Sequence, residues 1–483
     1  MHFLDYIKQP SLIPADCGIY PRSIHAIRDG ILFMANEGDT DCLVSTVDLG
    51  LEGENHGTYF KAPLIHANAN VLRALFPFTA PRRVLQEEKT MGVGDRLGIA
   101  SSGHIKVFEE SLAIPVLAQQ SMRELTLTDR TYEDVLDCVT FAVFKENFTR
   151  GFGADGDHLK NAIDVENALK LGFSMITLDC SDYIRNDLSS LSDQEITALY
   201  QNDSEAEKRY LETSFDLGEN TVLTFTPEDY RRTVLIYSKA IHFATEIYHS
   251  LFSSGKYNAD FEVSIDETLT PTTPLQHFYV ANELIRLGVN FATIAPRFCG
   301  EFQKGIDYIG DKQQFEKEIA VHSCIARHFG YQLSIHSGSD KFSVFPLIAH
   351  YTKGKYHVKT AGTNWLEAMG VVAKTDPKLY REIHAFALAH FEEAKKYYHV
   401  TTDLSKIPSL NSLSDEELPA LFTQDDARQL IHITYGLILS AKNSDGTPLF
   451  RQRLYTLWRK ESTAYEQALY RHIGKHLRLL GAM

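Results

Sequence analysis

Between residues 86 and 375, apolar runs of strand length alternate with stretches of helical periodicity, and this alternation restricts the chain more than any other feature. The runs are KTMGVGDRLGIA (89–100), LAIPVLAQQ (112–120), GFGADGDH (151–158), FSMITLDCSDY (173–183), FEVSIDET (261–268), VNFATIAPRF (289–298), YQLSIHSGS (331–339) and YHVKTAG (356–362). Eight parallel strands, each followed by a helix, close into a TIM (β/α)8 barrel, and that α/β fold is expected here. Between the runs, Thr131 and Asp134 predict a capping box at a helix start. Val234, Tyr237, Ile241, Ala244 and Tyr248 form one apolar helical stripe.

A chain of 483 residues exceeds such a barrel, and the surplus is predicted to fall in three places. Residues 1–85, rich in Gly, Pro and Asn with short apolar runs, read as an irregular β-containing N-terminal cap. Residues 184–226 are polar and acidic and read as a helical insertion after the fourth strand of the 86–375 barrel. Residues 376–483 read as a C-terminal helical extension packed on the barrel, with capping boxes predicted at Ser414/Glu417 and Thr423/Asp426.

Composition excludes several classes of function. The chain is 44% hydrophobic and 11% aromatic, enough for a large core and too much for a disordered chain. Asp and Glu outnumber Lys and Arg by 63 to 48 without any long basic run, which argues against nucleic-acid binding. No stretch approaches the ~20 apolar residues of a membrane span, and the N-terminus lacks a signal-peptide pattern, so a cytoplasmic location is expected. The six cysteines lack CxxC spacing and read as reduced thiols.

A barrel of this kind performs its chemistry at the C-terminal ends of its strands. The polar residues there are Asp95 and Arg96; Asp155, Asp157, His158 and Lys160; Asp179 and Asp182; Asp266 and Glu267; Arg297, Glu301 and Gln303; His336, Ser337, Asp340 and Lys341; and Lys359 and Thr360. Many carboxylates, two histidines and several cations suit a divalent metal with a polyhydroxylated, anionic substrate. The competing explanation for each Asp is a helix cap. For His158 and His336 it is a buried structural histidine, although each directly ends an apolar strand. Asp157 and His158 carry most weight, because adjacent residues can place an imidazole on a metal and a carboxylate beside the same substrate carbon. In SIHSGSDK, Gly338 and its serines allow backbone to approach a ligand. GFGADG (151–156) matches G-x-G-x-x-G, but it follows the polar KENFTR and places Asp155 where a pyrophosphate would sit, so a dinucleotide site is rejected.

The segments MGVGDRLGIASSGHI (91–105), RGFGADGDHLKN (150–161), FEVSIDETLTPTTP (261–274), APRFCGEFQKGIDYIGD (295–311) and SIHSGSDKFSVFP (334–346) resemble the bacterial tagaturonate/fructuronate epimerase family over residues 90–375. The resemblance implies a metal-dependent TIM barrel that inverts one hydroxyl-bearing carbon of a ketohexuronate in hexuronate catabolism. ADGDH and IHSGS also resemble the metal-binding pieces of class II aldolases.

The inverted carbon lies β to the ketone, so the carbonyl does not acidify its C–H. Hydride transfer or retro-aldol cleavage and re-addition remain, and without a nicotinamide site retro-aldol is favoured. His158 and His336 would hold Zn2+ or Mn2+. Asp157 is expected as general base and Glu267 as general acid, one of them with a raised pKa. The third metal ligand is expected from Gln303, with Glu301 and Glu267 as alternatives. Arg96 and Lys341, and after them Lys160 and Arg297, are candidates for the substrate carboxylate; the alternative for all four is a solvated surface cation. A ketose aldolase sharing the ligands and a non-catalytic sugar-acid-binding barrel are the rival readings. Homo-oligomerisation is left open.

Overall fold

The structure, a computed structural model, describes residues 2–27, 29–38 and 40–483, without the side chain of Ser189. Eight strands form a closed barrel: β6 (Lys89–Val93), β7 (Ile114–Ser121), β8 (Gly153–Leu159), β9 (Met175–Asp179), β12 (Asp260–Ile265), β13 (Thr293–Pro296), β14 (Gln332–Ile335) and β15 (Tyr356–Thr360). Each overlaps one of the eight apolar runs, and the order around the barrel is β12-β13-β14-β15-β6-β7-β8-β9. Registered pairs such as β12 with β9 and β13 with β14 are parallel. The runs are legible because a parallel strand is covered on both faces, and every residue of β7, β9, β12, β13 and β15 is buried. The fold is a TIM barrel.

By compactness the chain divides into two units. The first comprises Met1–Arg82, Val93–Ala154 and Gly362–Gly474. Its N-terminal part is more regular than the sequence predicts, an antiparallel sheet in the order β1-β2-β3-β5-β4. These strands are β1 (His25–Ile27), β2 (Gly30–Glu37), β3 (Thr40–Ser45), β4 (Glu54–Asn55) and β5 (Phe60–Pro63). Leu32, Met34 and Leu43 from this sheet join Phe141 and Phe144 in one apolar cluster. The helix Tyr132–Glu146 that supplies both phenylalanines starts with the expected Thr131/Asp134 capping box. From residue 363 onward the unit is helical, around a core that includes Trp365, Tyr380, Tyr435 and Trp458.

Of the two capping boxes expected there, Ser414/Glu417 forms, at the start of a 3-10 segment. The Thr423/Asp426 box does not form. Thr423 Oγ1 instead donates to the Ala420 carbonyl, and Asp426 accepts from the backbone N–H of Asp403. Both side chains are thus engaged elsewhere, and the next helix starts at Asp425 behind Gln424.

The second unit comprises Arg83–Gly92, Asp155–Ala361 and Lys475–Met483. The insertion after β9 contains the expected helices, Asp193–Leu199 and Ser204–Leu211. It also contains a hairpin the sequence analysis missed, β10 (Ser214–Asp216) with β11 (Val222–Thr224). The predicted stripe lies on the long helix Pro227–Leu251, where Tyr237, Ile241 and Ala244 are buried. Among the described residues, no helix is long and apolar enough to cross a membrane.

Candidate active site

Strand alternation brings a charged layer into the second unit's part of the barrel. Residues two apart on a strand share a face, so Glu262, Ser264 and Asp266 line up along β12 and just past it. Glu262 Oε1 lies 2.7 Å from His336 Nε2 and 3.3 Å from Lys359 Nζ, and it accepts from Thr177 Oγ1 at 3.0 Å. Asp266 Oδ1 stands 3.1 Å from His336 Nδ1. Both nitrogens of His336 therefore face carboxylates on the same β12 segment.

Asp157 and His158 need a different device. Adjacent residues of a regular strand point to opposite faces, yet both of these belong to the cluster. The β8–β9 register shifts between Gly156 and Leu159, and His158 has a left-handed backbone, φ 55°. The bulge turns His158 inward. Its ring centre lies 5.0 Å from that of His336, and its Nε2 is 3.8 Å from Asp157 Oδ1. On the other side Nδ1 stands 3.5 Å from Asp179 Oδ2, beyond a good hydrogen bond.

Lys359 lies at the centre of the layer. Its ammonium is buried at 2.5 Å from Asp157, 2.6 Å from Asp155 and 2.5 Å from Thr177 Oγ1. Burial raises the carboxyl pKa of Asp157, but Lys359 and His158 outweigh it and hold the group ionised. Burial raises Asp155, and its neighbours Asp157 and Glu262 add to that shift against Lys359. The same environment thus separates two carboxyls that flank one ammonium. Burial disfavours charge on His336, yet Asp266 and Glu262 overcome it and hold the imidazole up at about 10.

The donor set fits a divalent cation. One ligand atom each from His158, Asp266 and His336 lies within 4.8 Å of the others, and a second grouping joins His158, Asp179 and Glu267. Two imidazoles and a carboxylate are nitrogen and oxygen donors of the kind Zn2+ and Mn2+ accept. The layer holds Asp155, Asp157, Asp179, Glu262 and Asp266 against Lys359, the protonated His336 and the exposed Lys160, so positive charge is in deficit.

The expected site residues divide accordingly. Asp157, His158 and His336 converge. Glu267 is exposed at the mouth beside His158. Lys160 reaches Asp182 at 2.8 Å and Asp179 at 3.6 Å, and Arg297 is half-buried at the end of β13. Gln303 is buried in a loop closed by the Glu301–Ile309 bridge.

Two of the expected substrate cations are committed elsewhere. Lys341 is fully buried, and its ammonium donates to the carbonyls of Gln303, Ile306 and Ser339 at 2.7–2.8 Å. An ammonium has three protons, so Lys341 fixes the loop that carries Gln303 and has no proton left for a substrate. Arg96 belongs to the first unit, where its buried guanidinium meets Glu124 Oε1 through Nε and Nη2 at 2.8 and 2.6 Å. It also lies 4.1 Å over the Tyr435 ring, a position without access for a substrate carboxylate.

Gly338 departs from expectation as well. A Cβ there would stand 2.6 Å from Val358 Cγ1, and its N–H donates to the Lys359 carbonyl, so the residue lets the turn close onto β15. Asp266 and Lys359 stood among the strand-end polar residues without an assigned role, and Glu262 was not picked out at all. The period-two spacing of polar residues within β12 was the available signal. Lys304, which reaches Ser337 Oγ beside His336 at 3.3 Å, was missed too, because it sits in a loop.

Comparison with known proteins identifies the family. The family model for UxaE, tagaturonate epimerase, matches residues 20–480. A tagaturonate/fructuronate epimerase from Thermotoga maritima is 43% identical over 428 residues, covering 88% of this chain and 87% of the relative. The native crystal structure of fructuronate-tagaturonate epimerase UxaE from Cohnella laeviribosi is 48% identical, with a TM-score of 0.95, covering 100% of this chain and 99% of that one. A glycerol complex of the same enzyme matches equally well. The chain belongs to the tagaturonate epimerase family.

Proposed function

We propose that this chain interconverts tagaturonate and fructuronate at the mouth of its barrel. The observation that carries this reading is the convergence of His158, Asp266 and His336, backed by a surplus of carboxylates, at strand ends of a chain whose relatives are named for that reaction. Zn2+ or Mn2+ held by these three residues would supply Lewis acidity toward the substrate ketone. Asp266 replaces Gln303 as the third ligand in this reading, which leaves Glu267 for proton transfer.

The chain's own groups then divide the work of a retro-aldol inversion. Asp157, kept ionised by Lys359, accepts the proton of the hydroxyl on the carbon to be inverted. The bond between that carbon and the carbon next to the ketone breaks, the aldehyde turns, and the bond re-forms on its other face. Glu267, on the exposed side of His158, returns a proton to the new hydroxyl oxygen. Glu262 holds His336 by Nε2 and so fixes the orientation of its ring. Lys160, Arg297 and Lys304 lie at this end and would steer an anionic substrate.

The test is incubation of purified, nicotinamide-free enzyme with tagaturonate, before and after chelation. Fructuronate should form, stop forming on chelation, and return with added Zn2+ or Mn2+. Accumulation of a three-carbon product would identify an aldolase, and turnover that needs added nicotinamide would identify the hydride route.

A further inference from the structure

Along β13 the side chain of Thr293 faces the barrel interior, where its Oγ1 donates to Glu262 Oε2 at 2.5 Å. Residues two apart share a face, so Ala295 and Arg297 follow Thr293 on the inward side. The parallel register pairs Ile265 with Pro296, which sets the next residues, Asp266 and Arg297, at one level of the barrel mouth. Neighbouring strands lie ~4.8 Å apart, so Arg297 starts out beside a proposed metal ligand. Its backbone is held in both directions. The N–H donates to Thr272 Oγ1 at 3.1 Å, and the carbonyl accepts from the Thr272 N–H at 2.8 Å. Thr272 is itself buried, so the arginine projects from a fixed base.

The guanidinium has no hydrogen bond, ion pair or ring contact among the described residues, although Arg297 is half-buried. Every other buried or half-buried arginine described has at least one such partner. In a chain with 63 acidic against 48 basic residues, an arginine without an acid of its own at a carboxylate-rich mouth is an exception. Of the three cations placed at this end, Lys160 is engaged by Ser181 and Asp182 at 2.9 and 2.8 Å, and Lys304 by Ser337 at 3.3 Å. Arg297 offers an open fork of N–H donors, which matches a carboxylate through two parallel bonds.

In a ketohexuronate the carboxylate ends the part of the chain that retro-aldol cleavage releases as the aldehyde. Once the carbon–carbon bond has broken, that fragment has no covalent tie to the rest. An epimerase must let it turn and still keep it. A grip on the carboxylate does both, because the bonds between the carboxylate and the aldehyde carbon stay free to rotate. We infer, building on the epimerase reading above, that Arg297 binds the substrate carboxylate and retains the aldehyde fragment while its face turns. Without that hold, the ketone-bearing fragment takes up on carbon the proton that Asp157 removed from the hydroxyl. Dihydroxyacetone and tartronate semialdehyde then leave, together holding every atom of the substrate.

Arg297→Met and Arg297→Lys test this, with tagaturonate as substrate of the metal-loaded enzyme and all products followed by NMR. Arg297→Met should raise KM about ten- to a hundredfold, with a melting midpoint close to wild type. It should also release dihydroxyacetone at least about tenfold faster than wild type, since lost affinity shows mainly as faster dissociation. Arg297→Lys keeps the charge and loses the fork, so it should fall between the two, and it remains informative if the methionine variant fails to fold. An unchanged KM would overturn the inference, as would a raised KM without leaked dihydroxyacetone. Wild-type enzyme that forms no fructuronate would sink the epimerase reading instead. Tagaturonate binding by calorimetry needs no turnover and decides separately whether Arg297 holds the carboxylate, equal affinities in wild type and Arg297→Met being the result against it.

Discussion

Two buried cations in this protein have opposite surroundings. Arg96 meets one carboxylate, Glu124, under the face of Tyr435. Lys359 meets Asp155, Asp157 and Glu262 at once, and Glu262 continues to His336. Burial and ion pairing are common to both, so neither distinguishes a site from a structural contact. The imbalance of charge does. One guanidinium against one carboxylate is closed, whereas one ammonium against three carboxylates leaves a field that further cations or histidine protons must complete.

The contrast is open to attack, beginning with its largest expected effect. Asp157→Asn should lower epimerisation about a hundred- to ten-thousand-fold while the urea midpoint stays close to wild type. A variant with full activity would remove Asp157 from proton transfer.

Arg96→Met should act on stability, costing about 3–5 kcal/mol by leaving Glu124 buried without its cation, with an unchanged KM in the folded fraction. A rise in KM would show instead that Arg96 senses substrate. Removal of the metal should lower the melting midpoint, because an ion bound at a hundred times its Kd stabilises by about 2.7 kcal/mol. Equal midpoints with and without Zn2+ or Mn2+ would contradict a site at His158, Asp266 and His336.

The last effect, smallest for any single group, concerns histidines outside the layer. Burial lowers His104, His322 and His384 from 6.5 to about 4 each. The unfolded chain takes up these protons first as pH falls, so the stability they contribute is present above pH 6.5 and lost on the way down to about 4. A loss on the order of 1–2 kcal/mol per histidine is expected at pH 5, read from urea midpoints at pH 7.5 and 5. Stability that stays level across that interval would refute it.

The barrel was readable from sequence because its strands are covered on both sides and stand out as apolar runs. Asp157, His158 and His336 stood out because each closes such a run, and the folded chain brings the three together. Glu262 was not, since it lies inside an apolar run and its meaning depends on Lys359, 97 residues away. Arg96 and Lys341 show the reverse error. Both follow strands, as a substrate cation should, but only the folded chain reveals that Glu124 or the carbonyls of Gln303, Ile306 and Ser339 have already claimed them. Thr423 and Asp426 likewise had the spacing of a cap but found other partners nearby.

The bulge in β8 has a consequence for anyone wishing to move this chemistry to another barrel. Asp157 and His158 both face the same cluster only because the backbone between Gly156 and Leu159 departs from strand geometry. Copied as two letters onto an ordinary strand, one side chain would enter the barrel and the other would face the surrounding helices. The transferable unit is the kinked peptide, and a redesign that straightens it would keep both residues while losing their meeting point.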